Sequence, residues 1–67
     1  MIVFRQEKLK QLRTALGWSQ ALFAERTGIT RQAVSHYELH HMKPGVDTLA
    51  RICNATGVKV KSFFTEK

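Results

Sequence analysis

Apolar residues recur along the chain with a helical rather than a strand period. Leu9, Leu12 and Leu16 fall at i, i+3 and i+7. Gln20, Phe23, Ala24 and Thr27 form a second, shorter stripe, and Ala33, Val34 and Tyr37 a third. Leu49, Ile52, Cys53 and Thr56 form a fourth. Val58, Val60, Phe63 and Phe64 close the chain and suit a last short helix better than a lone strand. The pattern predicts an all-α fold with helices over Arg5–Leu16, Gln20–Thr27, Arg31–Leu39, Val46–Thr56 and Val60–Phe64.

The punctuation agrees with these stripes. Gly17, Gly28 and Gly57 each follow one, where a left-handed cap favours glycine. Ser19 and Thr30 stand where a side-chain oxygen can accept the free N–H groups of the next helix. Trp18 with Phe23, and Ile29 with Val34, have the spacing of hydrophobic staples. Pro44 and Gly45 mark the turn into the fourth helix. Only Gly28-Ile29-Thr30 separates the second helix from the third, and so short a turn holds two helices at a steep angle, as in a helix-turn-helix.

Composition narrows the function. The 67 residues are 43% hydrophobic and 24% charged, the balance of one small globular domain over 1–67. No apolar run approaches the roughly 18–20 residues that span a bilayer, and no signal peptide is evident, so a membrane role is not expected. The single cysteine, Cys53, excludes an intramolecular disulfide and points to a reducing cytoplasm. Eleven Lys and Arg against five Asp and Glu give a formal charge of +6, which attracts polyanions, nucleic acid first among them.

On the third helix, Ala33, Val34 and Tyr37 cluster on one side, while Arg31, Gln32, Ser35, His36 and Leu39 fall on the other. Arg can donate two hydrogen bonds to guanine and Gln can pair with adenine, so Arg31, Gln32, Ser35 and His36 are the candidate base readers. Ser19, Gln20, Thr30, His40 and Lys43 are candidates for DNA phosphate, either at helix starts or in the loop after the third helix. His36 and His40 are one turn apart, but His41 lies in a loop and Cys53 is assigned to the core, so no metal site and no cofactor are expected. No paired carboxylates, phosphate-cradling glycine loop or Cys–His arrangement suggests an enzyme.

Leu9, Leu12, Arg13, Gly17, Ser19-Gln20, Phe23-Ala24, Gly28-Ile29-Thr30, Val34-Ser35, Glu38, Pro44, Leu49, Ile52, Gly57-Val58 and Phe63-Phe64 together resemble the phage repressor and Cro helix-turn-helix family, also called XRE-like. The resemblance implies a compact five-helix, lambda-repressor-like domain whose third helix enters the DNA major groove, usually within a dimer. It also implies that Arg13 and Glu38 form a structural ion pair between the first and third helices, and that Gln20 contacts phosphate and braces Gln32. On this reading the chain is a sequence-specific regulator of double-stranded DNA, acting as a homodimeric repressor on a palindromic operator. It would be bacterial or phage-encoded and work in the cytoplasm, on the nucleoid.

Three positions depart from the family pattern. His40 replaces the glycine usual after the third helix, Lys59 stands where a capping Ser or Asp starts the last helix, and Leu22 fills a normally polar position. Val58, Val60, Phe63 and Phe64 either form a two-fold dimer contact or close the monomer core. Leu22 with Ile2–Phe4 offers apolar surface to a protein partner, as in an antitoxin or anti-repressor-type module on the same scaffold.

Overall fold

A computed structural model describes residues 1–66. Four α-helices, α1 (Glu7–Ala15), α2 (Gln20–Thr27), α3 (Arg31–Glu38) and α4 (Val46–Thr56), are followed by a 3-10 turn over Val60–Phe63. The chain ends pair as two short strands, β1 (Ile2–Phe4) and β2 (Phe64–Glu66). The fold is therefore predominantly helical but not five-helical. In place of the fifth helix expected at Val60–Phe64 stand one tight turn and a strand.

The reason lies at both ends of that segment. Lys59 offers the turn no side-chain cap, and Phe64 has extended backbone that finds an antiparallel partner in the first residues. Ile2 pairs with Glu66, Val3 with Thr65 and Phe4 with Phe64. The ladder reaches one residue further, where the Arg5 N–H donates to the Phe63 carbonyl at 2.6 Å. Arg5 is consequently the end of the ladder, and α1 starts at Glu7 rather than at Arg5.

One core organises the helices. Leu9 of α1, Phe23 and Ala24 of α2, Val34 and Tyr37 of α3, Leu49 and Ile52 of α4, and Phe63 of the last turn are all buried. Phe63 is 1% exposed and Ile52 fully enclosed, so the turn inserts its aromatic ring into the centre of the bundle. Full burial of each such side chain stabilises the fold by about 1.5–3 kcal/mol. Phe63, a candidate dimer contact from the sequence, is thus a core residue and has no surface to offer a second subunit. No helix among the described residues is long and apolar enough to cross a membrane.

Candidate nucleic-acid interface

The α2–turn–α3 unit is shaped by short-range chemistry. Ser19 Oγ accepts the Leu22 N–H at 3.0 Å to start α2, and Thr30 Oγ1 accepts the Ala33 N–H at 3.1 Å to start α3. Gly28 ends α2 at φ 73°, a left-handed backbone that costs an L side chain about 1–2 kcal/mol. The Trp18 and Phe23 rings lie 6.2 Å apart across the start of α2, the staple that fixes how the chain enters the helix. The Arg26 guanidinium stacks over Trp18 at 5.1 Å and covers its outer face.

The two sides of α3 differ sharply. Val34 and Tyr37 are buried and Ala33 packs beside the core. Arg31 and Gln32 are exposed in the first turn, and Ser35 and His36 are half-exposed one turn later. Leu39, which caps α3, is 60% exposed. Thr30 and Ser19 are exposed at the two helix starts, and His40 and Lys43 are exposed in the loop after α3. The His36 and His41 rings stand 5.9 Å apart. Among the described residues no group of three or more His, Cys, Asp or Glu is arranged to hold a metal ion.

Glu38 is the hub that orients α3. Arg13 donates to it through two nitrogens, at 2.6 and 2.9 Å, and Gln20 Nε2 donates at 3.1 Å. Arg13 also donates to the Trp18 carbonyl at 2.9 Å, so one guanidinium ties α1 to α3 and to the entry of α2. The side chains of Arg13 and Glu38 are only 13% and 7% exposed. Burial pushes the Glu38 carboxyl up, but the hydrogen bonds from Arg13 and Gln20 and the nearby positive charges outweigh it and hold it below the usual carboxylate value. The same contact raises the Arg13 guanidinium. Gln20 thus gives one amide hydrogen to Glu38, whose charge makes it a strong acceptor.

Gln6 escaped the sequence reading. It is buried just before α1, where its Nε2 donates to the Tyr37 carbonyl at 2.9 Å and also to the Met42 carbonyl. The first bond ties the last turn of α3, and the second the loop that carries His40 and Lys43, to the start of α1. A single glutamine ahead of an amphipathic stripe gives no pattern to detect, since its partners are 31 and 36 residues away. His40 adopts φ 62°, the left-handed backbone left where the family has glycine.

Other expected surfaces are less open than the sequence suggested. Leu22, Val3 and Phe4 are half-buried, and Ile2–Phe4 is a strand paired within the chain rather than a loose apolar segment. Phe4 packs against Phe63 and Phe64, with ring centroids 6.3 and 5.4 Å away. Val58 and Phe64 pack against the core, leaving Val60, 46% exposed, as the open apolar group of the last turn. Cys53 also borders the core, and burial raises its thiol above the ordinary value.

Comparison with known proteins gives this geometry a family. A helix-turn-helix family model matches residues 9–63. The chain is 42% identical over 52 residues to YonR, an HTH-type transcriptional regulator derived from the SPbeta prophage of Bacillus subtilis, a match covering 78% of this chain and 48% of YonR. It thus spans about half of that regulator's length. It is 34% identical over 59 residues to the HTH-type transcriptional regulator YgzD of Bacillus subtilis, across 88% of this chain and 89% of YgzD. The N-terminal DNA-binding domain of SinR from Bacillus subtilis superposes with a TM-score of 0.82 at 25% identity, covering 92% and 91% of the two chains. The chain belongs to the XRE-type helix-turn-helix family of DNA-binding transcription regulators.

Proposed function

We propose that the chain is a sequence-specific binder of double-stranded DNA that represses transcription as a homodimer on a palindromic operator, with α3 in the major groove. The observation that carries this reading is the division of α3. Val34 and Tyr37 hold it in the core, while its first turn extends Arg31 and Gln32 into solvent. A recognition helix meets base edges with that end. The fold is similar to the N-terminal DNA-binding domain of SinR, which supports DNA as the partner.

The roles follow from chemistry. Arg31 donates a forked pair to guanine O6 and N7, Gln32 pairs with adenine, and Ser35 and His36 reach the next base edges. Ser19 and Thr30 accept a backbone N–H and still have a hydroxyl proton to give a phosphate. Gln20 has one amide hydrogen left beside its bond to Glu38. Lys43 and His40, on the loop that Gln6 anchors, meet the phosphates on the flank of the groove. The reading assigns no catalytic role and no cofactor. It treats residues 1–67 as a single DNA-reading domain, at work on cytoplasmic DNA.

Selection of bound sequences from random DNA at about 50 and about 200 mM salt tests the reading, because affinity must fall steeply with salt. Changing Arg31 or Gln32 to Ala costs about 1–3 kcal/mol and relaxes base preference at one position. Lys43→Ala weakens all sequences alike and lowers the log–log salt slope by about 0.9. An equal, sequence-blind loss from Arg31→Ala and Lys43→Ala removes α3 as the reader.

A further inference from the structure

The two strands at the chain ends leave two edges open, and the edges are unlike. The bond from Arg5 N–H to the Phe63 carbonyl sets the phase of the ladder. Arg5–Phe63 and Val3–Thr65 are its hydrogen-bonded pairs, and Ile2–Glu66 and Phe4–Phe64 the pairs between them. Ile2 and Phe4 therefore direct their N–H and C=O groups away from β2, to a side where no other strand lies among the described residues. Natural edges are guarded by charge, proline or a bulge. β1 has none of these: its residues are Ile2, Val3 and Phe4, and Ile2 is 65% exposed. Arg5, just beyond, is neutralised by Glu7 at 2.8 Å. The opposite edge, on β2, is guarded by the exposed charge of Glu66.

We infer that β1 is the contact between two copies of this chain, pairing antiparallel with itself about a two-fold axis at Val3. The phase allows this register without adjustment. Ile2 faces Phe4 of the partner subunit and Phe4 faces Ile2 of the partner subunit, both as hydrogen-bonded pairs, while the two Val3 residues meet between them. Four main-chain hydrogen bonds form, and the exposed Ile2 side chain lies against the ring of Phe4 of the partner subunit. The result is a four-stranded antiparallel sheet with β2 at both outer edges. Self-pairing of β2 about Thr65 sets Phe64 against the Glu66 carboxylate instead, an apolar group against a charge. A contact of three residues is well below the area of a stable dimer, so the pairing depends on concentration and on the DNA that brings two copies together. It supplies the homodimer of the proposed function with its surface, and for its use rests on that reading.

Amide exchange by NMR, with sedimentation equilibrium from about 10 μM to about 1 mM and no DNA present, reads the contact directly. The Val3 and Arg5 amides are protected at every concentration, and those of Ile2 and Phe4 gain protection only as the dimer forms. Ile2→Pro removes an outward donor on both copies and spares the ladder to β2, so it weakens association about tenfold or more. Glu66→Pro, the same change on the opposite edge, leaves association as it was. A dimer that survives Ile2→Pro but is lost with Val60→Lys moves the contact to the last turn and overturns the inference. So does protection of Ile2 and Phe4 that needs an added second protein. A chain that stays monomeric to about 1 mM, and binds its selected site without a second copy, overturns the pairing while leaving base reading intact. A chain that dimerises through Ile2 and Phe4 yet selects no DNA sequence supports the pairing and removes the regulator reading.

Discussion

The α2–turn–α3 unit and the seam of chain ends are held together in opposite ways. In the first, each start and stop is satisfied within a few residues: Ser19 by Leu22, Thr30 by Ala33, and the end of α2 by the left-handed Gly28. In the second, Ile2 meets Glu66 across nearly the whole chain, and closing so long a loop costs entropy before any bond rewards it. The seam is secured by Phe63, whose ring occupies the same core as Val34 and Ile52. The starts and stops of α2 and α3 are thus set by local bonds, with one long-range tie from Glu38 to Arg13 orienting α3, and the ends are hung on the core by one aromatic anchor.

The largest effects test whether two long-range ties outrank all the local ones. Glu38→Gln strands the Arg13 charge in a site with little access to water and costs about 3–5 kcal/mol, a large share of the stability of so small a domain. Thermal unfolding checks the size, and pH checks the cause. The folded Glu38 carboxyl titrates below the usual 4.5. Its contribution is therefore complete above that value and is lost as pH falls through the lower folded one. The variant loses this part of the acid sensitivity. Phe63→Ala costs a similar amount, about 3–5 kcal/mol, through lost burial and a central cavity. Because Phe63 shares the core of α3, amides of α3 and β1 lose protection together. Loss confined to β1 and β2 makes the seam a separate unit and breaks the comparison.

Changes to the local bonds come next. Gly28→Ala forces a left-handed alanine, with its Cβ 3.1 Å from Arg51 Nη1, and costs about 1–2 kcal/mol. Thr30→Ala removes the cap of α3 for about 1 kcal/mol. Chemical denaturation measures both, and losses above those of Glu38→Gln or Phe63→Ala reverse the ranking of local and long-range ties.

What the sequence revealed follows the same division. Caps, staples and helical stripes lie within four or five residues of what they act on, so Ser19, Thr30 and Trp18–Phe23 are legible from the residues alone. The outward set on α3 is legible for the same reason, because a helix converts spacing directly into a face. Pairing of Ile2–Phe4 with Phe64–Glu66 has no such signal. Each strand is three residues long, no turn joins them, and Val58 to Phe64 mimics a helical stripe. Gln6 and the Gln20–Glu38 bond are hidden likewise, since a buried glutamine is recognised only once its distant partners are in place.

The smallest effect concerns a residue where local and long-range demands collide. His40 follows α3 at φ 62°, a conformation glycine adopts without cost, yet the loop it begins is fixed by Gln6 to the Met42 carbonyl and cannot relax. His40→Gly removes the strain but adds freedom to the unfolded chain, and the balance is a gain of about 0.5–1 kcal/mol. For a domain of this size that raises the melting temperature by roughly 2–8 °C. If His40 also touches phosphate, the stabilised variant binds every DNA sequence slightly more weakly, with base preference unchanged. A lower melting temperature instead shows that the imidazole contributes more to the loop than the backbone strain removes.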